Sequence, residues 1–306
     1  MIIALLAFAA AAAGAEGEAE GPSMSDLNLL TVPSAELPPG DEDLVTKLQF
    51  ARAFILSGKP EEALELLDEV QAKDLKGSFT VECLYYRGFA LDVQGNYAAA
   101  LTNYAEALER RPNDATILLA QGQTYLDKGD GDKARASFEA ALTASPNNSQ
   151  ALTGLGYLDV ATGEFAAAKE KLAAAVAADA TNALALSYLG LLEMNDKDFE
   201  PARAHLEAAV ALEPKGLTAN YNLAGILFMQ KDYVGAEEHY RAVLERKPDD
   251  GQARFYLALA LEAQGKIEEA LAETDALMKS NQKVDGLIEM IDRLDRKKAG
   301  GKGQPK

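Results

Sequence analysis

The sequence predicts an all-α fold: seven helix–turn–helix units in a row, followed by one amphipathic helix that closes the stack. Two observations carry this. A short turn recurs at Gly58, Gly95, Gly129, Gly163, Lys197, Lys231 and Gly265, the first interval being 37 residues and the next five 34. Around every turn, small side chains recur at fixed offsets, as they must where two helices of a pair approach closely. Composition agrees, with 48% apolar residues, much Ala and no Trp.

The amino-terminal elements differ from the rest. Residues 2–13 are an uncharged apolar run, and Ala13-Gly14-Ala15 places small residues where a signal peptidase reads. Residues 1–15 are therefore expected to be a secretory signal peptide, although no Lys or Arg precedes the run. The alternative is a short membrane anchor, but the run falls short of the roughly 20 residues a spanning helix needs. No cysteine follows it, which excludes a lipoprotein anchor. Residues 16–43 carry eight acidic side chains and no basic one, with four prolines, and are expected to be an acidic flexible linker. Its one apolar patch, residues 27–32, is either a docking segment or a stretch that rests on the first unit.

From residue 44 to 282 the period takes over. Seven residues before each turn stand Ala51, Gly88, Gly122, Gly156, Gly190, Ala224 and Ala258. Five residues after it stand Ala63, Ala100, Ala134, Ala168, Ala202, Ala236 and Ala270. Four positions further on, large residues fill the second helix: Leu67, Tyr104, Phe138, Leu172, Leu206 and Tyr240, with Thr274 departing. Pro112, Pro146, Pro214 and Pro248 end four of the units, where they block helix continuation. Residues 284–298 are expected to form the closing helix, with Val284, Leu287, Ile288, Ile291 and Leu294 on one face. Residues 299–306 are expected to be a disordered basic tail.

Over residues 44–282 the chain resembles the tetratricopeptide repeat family. The resemblance implies a right-handed superhelical solenoid whose concave groove is lined by the first helix of each pair and binds a partner peptide or protein. With repeats starting at 44, 81, 115, 149, 183, 217 and 251, it places Tyr85, Tyr86, Phe89, Tyr157 and Tyr188 in that groove. Tyr221, Asn222, Phe228, Phe255 and Tyr256 join them, with Gln123, Thr153 and Ser187 between. These rings suit adaptable recognition, or they pack between adjacent repeats. The charged groove positions hold Arg52, Glu82, Asp92 and Glu262. One base against three acids is unlike the basic clamp with which co-chaperones of the family grip terminal carboxylates. It suits a partner with basic as well as apolar residues.

No catalytic constellation is apparent, and neither a metal nor a cofactor is implied. The two histidines, His205 and His239, lie one period apart and are expected on exposed helix surface. Cys83 has no partner cysteine, so no internal disulfide can form. A net charge of −18 disfavours nucleic acid, whose phosphates would be repelled. The expected function is a non-enzymatic adaptor that holds a protein partner, periplasmic or secreted in a bacterium. The alternative is a cytosolic or membrane-tethered scaffold. Too little chain lies outside the repeats for a catalytic domain.

Overall fold

The computed structural model describes residues 42–74, 76–280 and 282–301. The expected signal peptide and most of the acidic linker lie outside these residues. The described residues contain fifteen helices and no strand. They divide into two compact units, one ending at Asp179 and one beginning at Ala180.

The first unit holds four helical hairpins: α1 (Glu42–Leu56) with α2 (Pro60–Lys73), α3 (Thr80–Val93) with α4 (Tyr97–Arg110), α5 (Ala115–Asp127) with α6 (Gly131–Ala144), and α7 (Ser149–Thr162) with α8 (Phe165–Ala178). The second holds three hairpins and a final helix: α9 (Ala183–Asn195) with α10 (Phe199–Leu212), α11 (Leu217–Met229) with α12 (Tyr233–Arg246), α13 (Gly251–Ala263) with α14 (Ile267–Lys279), and α15 (Leu287–Gly301).

Each hairpin is locked by a small residue facing a large one. A Cβ added to Gly122 would fall 2.6 Å from the Phe138 ring, and one added to Gly88 would fall 2.6 Å from the Tyr104 ring. At Gly156 and Gly190 the obstacles are Leu172 and Leu206, both at 2.7 Å. The seven alanines after the turns are all fully buried. Glycine on one helix therefore lets the second helix seat its large side chain against backbone.

The turn itself needs a left-handed residue. Gly58, Gly95, Gly129, Gly163 and Gly265 adopt φ between 72° and 82°, and Lys197 and Lys231 adopt 67° at the same place. The following amide reaches back to the last helical turn. Asn96 N donates to Leu91 O at 2.8 Å, and Asp232 N donates to Leu227 O at 2.9 Å. This satisfies carbonyls that the helix end leaves open. Side chains cap the opposite ends, as where Asp114 accepts from Thr116 N and Ile117 N, and Asp250 accepts from Ala253 N.

The closing helix departs from the sequence expectation. Gly286, at φ 81°, delays its start to Leu287, and it runs to Gly301 instead of stopping at 298, so residues 299–301 are helical. Leu287, Met290 and Leu294 are buried and Ile291 is half-buried, whereas Ile288 is 57% exposed. The contact with the last hairpin is a narrow stripe at i, i+3 and i+7. That stripe takes Met290 and leaves Ile288 in water.

Candidate protein-binding face of the first helices

In the first unit, Tyr85, Tyr86, Phe89 and Tyr157 are all buried. The Tyr85 ring lies 5.3 Å from that of Tyr86 and 6.1 Å from that of Tyr104 on α4. Burial pushes the Tyr86 phenol up to about 12 and raises that of Tyr157, Asp127 adding a smaller push to the latter. Glu82 is not a free groove acid, because Arg111 Nη2 meets it at 2.7 Å. Asp92 is only 6% exposed, and its Oδ1 has no hydrogen-bond partner. Burial lifts its carboxyl to about 6, against a smaller opposing pull from Thr124.

In the second unit, the period aligns Tyr188 on α9, Asn222 on α11 and Tyr256 on α13 at one place on three successive first helices. All three are buried. Tyr221 is 2% exposed and turns inward instead. Its ring stands 5.8 Å from that of Tyr240 on α12 and 6.3 Å from that of Tyr256, both edge-on. Tyr240 and Tyr256 stack at 5.9 Å, and Phe255, half-buried, meets Tyr256 at 5.9 Å. Burial drives the Tyr221 phenol far above its ordinary range, with Tyr240 and Tyr256 contributing. Tyr221 is therefore a packing residue of this unit, contrary to a groove-facing role.

Asn222 behaves differently. It is 4% exposed as a residue, no hydrogen bond ties its amide to the described residues, and its amide atoms are not among the fully buried ones. Asn220, two residues earlier, donates to Pro214 O and Gly216 O, and its Oδ1 meets His239 Nδ1 at 2.8 Å. One amide is spent on structure; the other keeps a donor and an acceptor for something else.

Glu262 needs a further correction. Arg293 of α15 grips it through two contacts of 2.7 Å, and Lys297 adds a third at 2.8 Å. These bonds hold its carboxyl below the ordinary range. It fastens the closing helix and is not waiting for a basic partner. Other buried carboxylates are likewise neutralised. Asp159 meets Arg135 at 2.8 Å and Lys171 at 2.5 Å, and Glu193 meets His205 Nδ1 at 2.7 Å. Glu237 pairs with Arg241 and with Lys266. The Asp159–Lys171 and Glu193–His205 pairs share a 12-residue offset and lie one period apart, a signal readable in the sequence although neither pair has a catalytic or metal-binding spacing. The histidines are correspondingly half-buried and engaged, not exposed. Cys83 is buried, and burial lifts its thiol to about 12, which keeps it unreactive.

Family profiles described as "Tetratricopeptide repeat" match residues 48–115, 87–149 and 191–250 with one profile, and 125–192 and 227–291 with another. The chain belongs to the tetratricopeptide repeat family. Solved structures of similar fold include a chain of the APC/C hetero-tetramer Cut9–Hcn1, with a TM-score of 0.68 and 17% identity over 85% of this chain. This chain covers 50% of that one. Pseudomonas aeruginosa pilF has a TM-score of 0.61 and 16% identity over 71% of this chain and 97% of its own. A tetratricopeptide repeat protein from Parabacteroides merdae has a TM-score of 0.54 and 17% identity over 83% of this chain and 99% of its own. At these identities the likeness is one of fold. No curated protein matches significantly in sequence. Members of the family generally mediate protein–protein interaction, and the fold is generally a non-catalytic scaffold.

Proposed function

We propose that this protein is a non-catalytic adaptor that binds a peptide or protein segment along its first helices, with Asn222 at the centre and Tyr188 and Tyr256 beside it. The observation that carries the reading is the Asn222 amide, which makes no hydrogen bond among the described residues and is not one of the fully buried polar atoms, so that what little of Asn222 meets solvent is its amide. A partner's backbone amide and carbonyl would pair with both its acceptor and its donor. Phe255 adjoins Tyr256 in the same unit, and Tyr85, Tyr86, Phe89 and Tyr157 are proposed as binding residues on the first helices of the first unit, taken by itself.

The basic character expected of the partner loses Glu262 as support. It rests on the net charge of −18, which also disfavours nucleic acid. The apolar run and the Ala13-Gly14-Ala15 site support export to a bacterial periplasm or beyond. A cytosolic or membrane-tethered scaffold is the second reading, favoured by the lack of a basic residue ahead of that run.

The test replaces Asn222 by Leu, which keeps volume and removes the amide. The partner is first recovered on the wild-type chain from native extract and then purified. Asn222→Leu should melt near the wild-type temperature while affinity falls about tenfold or more. Tyr188→Ala should weaken the same complex by ~2 kcal/mol, about thirtyfold. Undiminished affinity in a folded Asn222→Leu chain would overturn the reading.

A further inference from the structure

The inner repeats bury a face of their first helix that the first repeat leaves open. Cys83, Ile117 and Ala151 on α3, α5 and α7 are buried, as are Ala219 and Ala253 on α11 and α13. Their counterpart on α1 is Thr46, which is exposed. Ala90, Thr124, Leu158, Ile226 and Ala260 are buried, and their counterpart Ala53 is exposed. Leu155, Leu223 and Leu257 are buried and Arg87 and Gln121 are half-buried, whereas their counterpart Phe50 is 56% exposed. Thr46, Phe50 and Ala53 stand at i, i+4 and i+7, one face of α1. This is the face that an inner repeat turns toward the repeat before it.

At the other end of the array the chain supplies its own cover. Leu287, Met290 and Leu294 of α15 are buried, and Arg293 and Lys297 clasp Glu262. A terminal repeat without such a cover presents an interface to water.

We propose that Leu27, Leu29, Leu30 and Val32 of this chain lie on the open face of α1 and cap the first repeat. Three facts select this occupant. The four residues form the one apolar patch within residues 16–43, a stretch otherwise rich in acid and proline. The chain from Val32 to Glu42 can span up to ~33–36 Å, whereas Ala53 lies only ~16 Å along α1 from Glu42. The patch therefore reaches Phe50 with slack. Tethering also gives it an effective concentration on the order of millimolar, above that of a free second copy in dilute solution.

The experiment compares the full chain with Leu29→Asp/Leu30→Asp, with Phe50→Asp and with all three changes together. Hydrogen exchange is followed in α1 and in repeats 3 to 7, and mass is measured by light scattering over a range of concentrations. The cap predicts exchange in α1 faster by on the order of tenfold in either variant, with no further gain in the combined one. Repeats 3 to 7 should be unaffected, and the chain should be monomeric throughout. Acceleration by Phe50→Asp alone, or additive effects of the two changes, would overturn the proposal. So would unchanged exchange in every variant. A concentration-dependent dimer lost on Phe50→Asp would assign the face to a second copy instead.

Discussion

Tyr221 and Asn222 are adjacent in the chain, and one step of 100° around α11 separates what each can do. Tyr221 is enclosed by the rings of Tyr240 and Tyr256, so its truncation opens a cavity among aromatics. Tyr221→Ala should destabilise the protein by roughly 3–5 kcal/mol in denaturant unfolding, the range for large aromatic truncations. Asn222→Leu should not. Asp92 makes a different claim. Its carboxyl is raised from an ordinary 3.8 to about 6 by burial, and Thr124 and Tyr104 are the groups that face it. An acid with a raised folded pKa holds its proton where the unfolded chain has lost it. Its contribution to stability therefore falls as pH rises through that window, by at most about 3 kcal/mol. Asp92→Asn should raise the melting temperature at pH 7.5, and the gain should vanish toward pH 4. An equal gain at both pH values would show that the carboxyl is not the source.

The elements of this fold are set by their turns and by the pairing of small with large residues. The turn requires φ > 0, which glycine meets freely and lysine does not. Left-handed backbone costs an ordinary residue roughly 1–2 kcal/mol, while glycine loses about 0.5–1 kcal/mol through chain entropy. Lys231→Gly should therefore stabilise α11–α12 by ~0.5–1 kcal/mol, visible as a higher denaturant midpoint at unchanged slope. A loss of stability would mean that the Lys231 side chain makes a compensating contact. The closing helix shows where element-level reading stops. A strict apolar face from Val284 to Leu294 looked complete in one dimension. Gly286 broke it, and the neighbouring hairpin chose Met290 over Ile288. A helix has more apolar positions than one neighbour can cover, and the neighbour decides which of them is used.

For the molecule as a whole, the proposals concern export and partner binding. Cleavage after Ala15 would leave Glu16 as the first residue, and intact-mass spectrometry of the native protein should find it there. An intact Met1 in a cytosolic fraction would remove the envelope from the proposed function. The acidic balance should also make partner binding salt-sensitive if the partner is basic.

The period, the left-handed turn and the small-against-large pairs were legible in the sequence because they are local and repeated. Ala168 and Leu172 can be assigned from their offsets alone, since the hairpin that uses them lies within one 34-residue repeat. Asp159 with Lys171 was equally legible, at an offset repeated by Glu193 and His205. The fates of Glu262, Tyr221 and Phe50 were not. A period states which residues are equivalent, but not what lies against each of them. Glu262 resembles a free groove acid until α15 folds back and places Arg293 and Lys297 beside it. Phe50 has the same place on its helix as the buried Leu155, yet it is 56% exposed. Equivalence is a property of the chain, whereas burial and ion pairing depend on which surfaces meet in three dimensions.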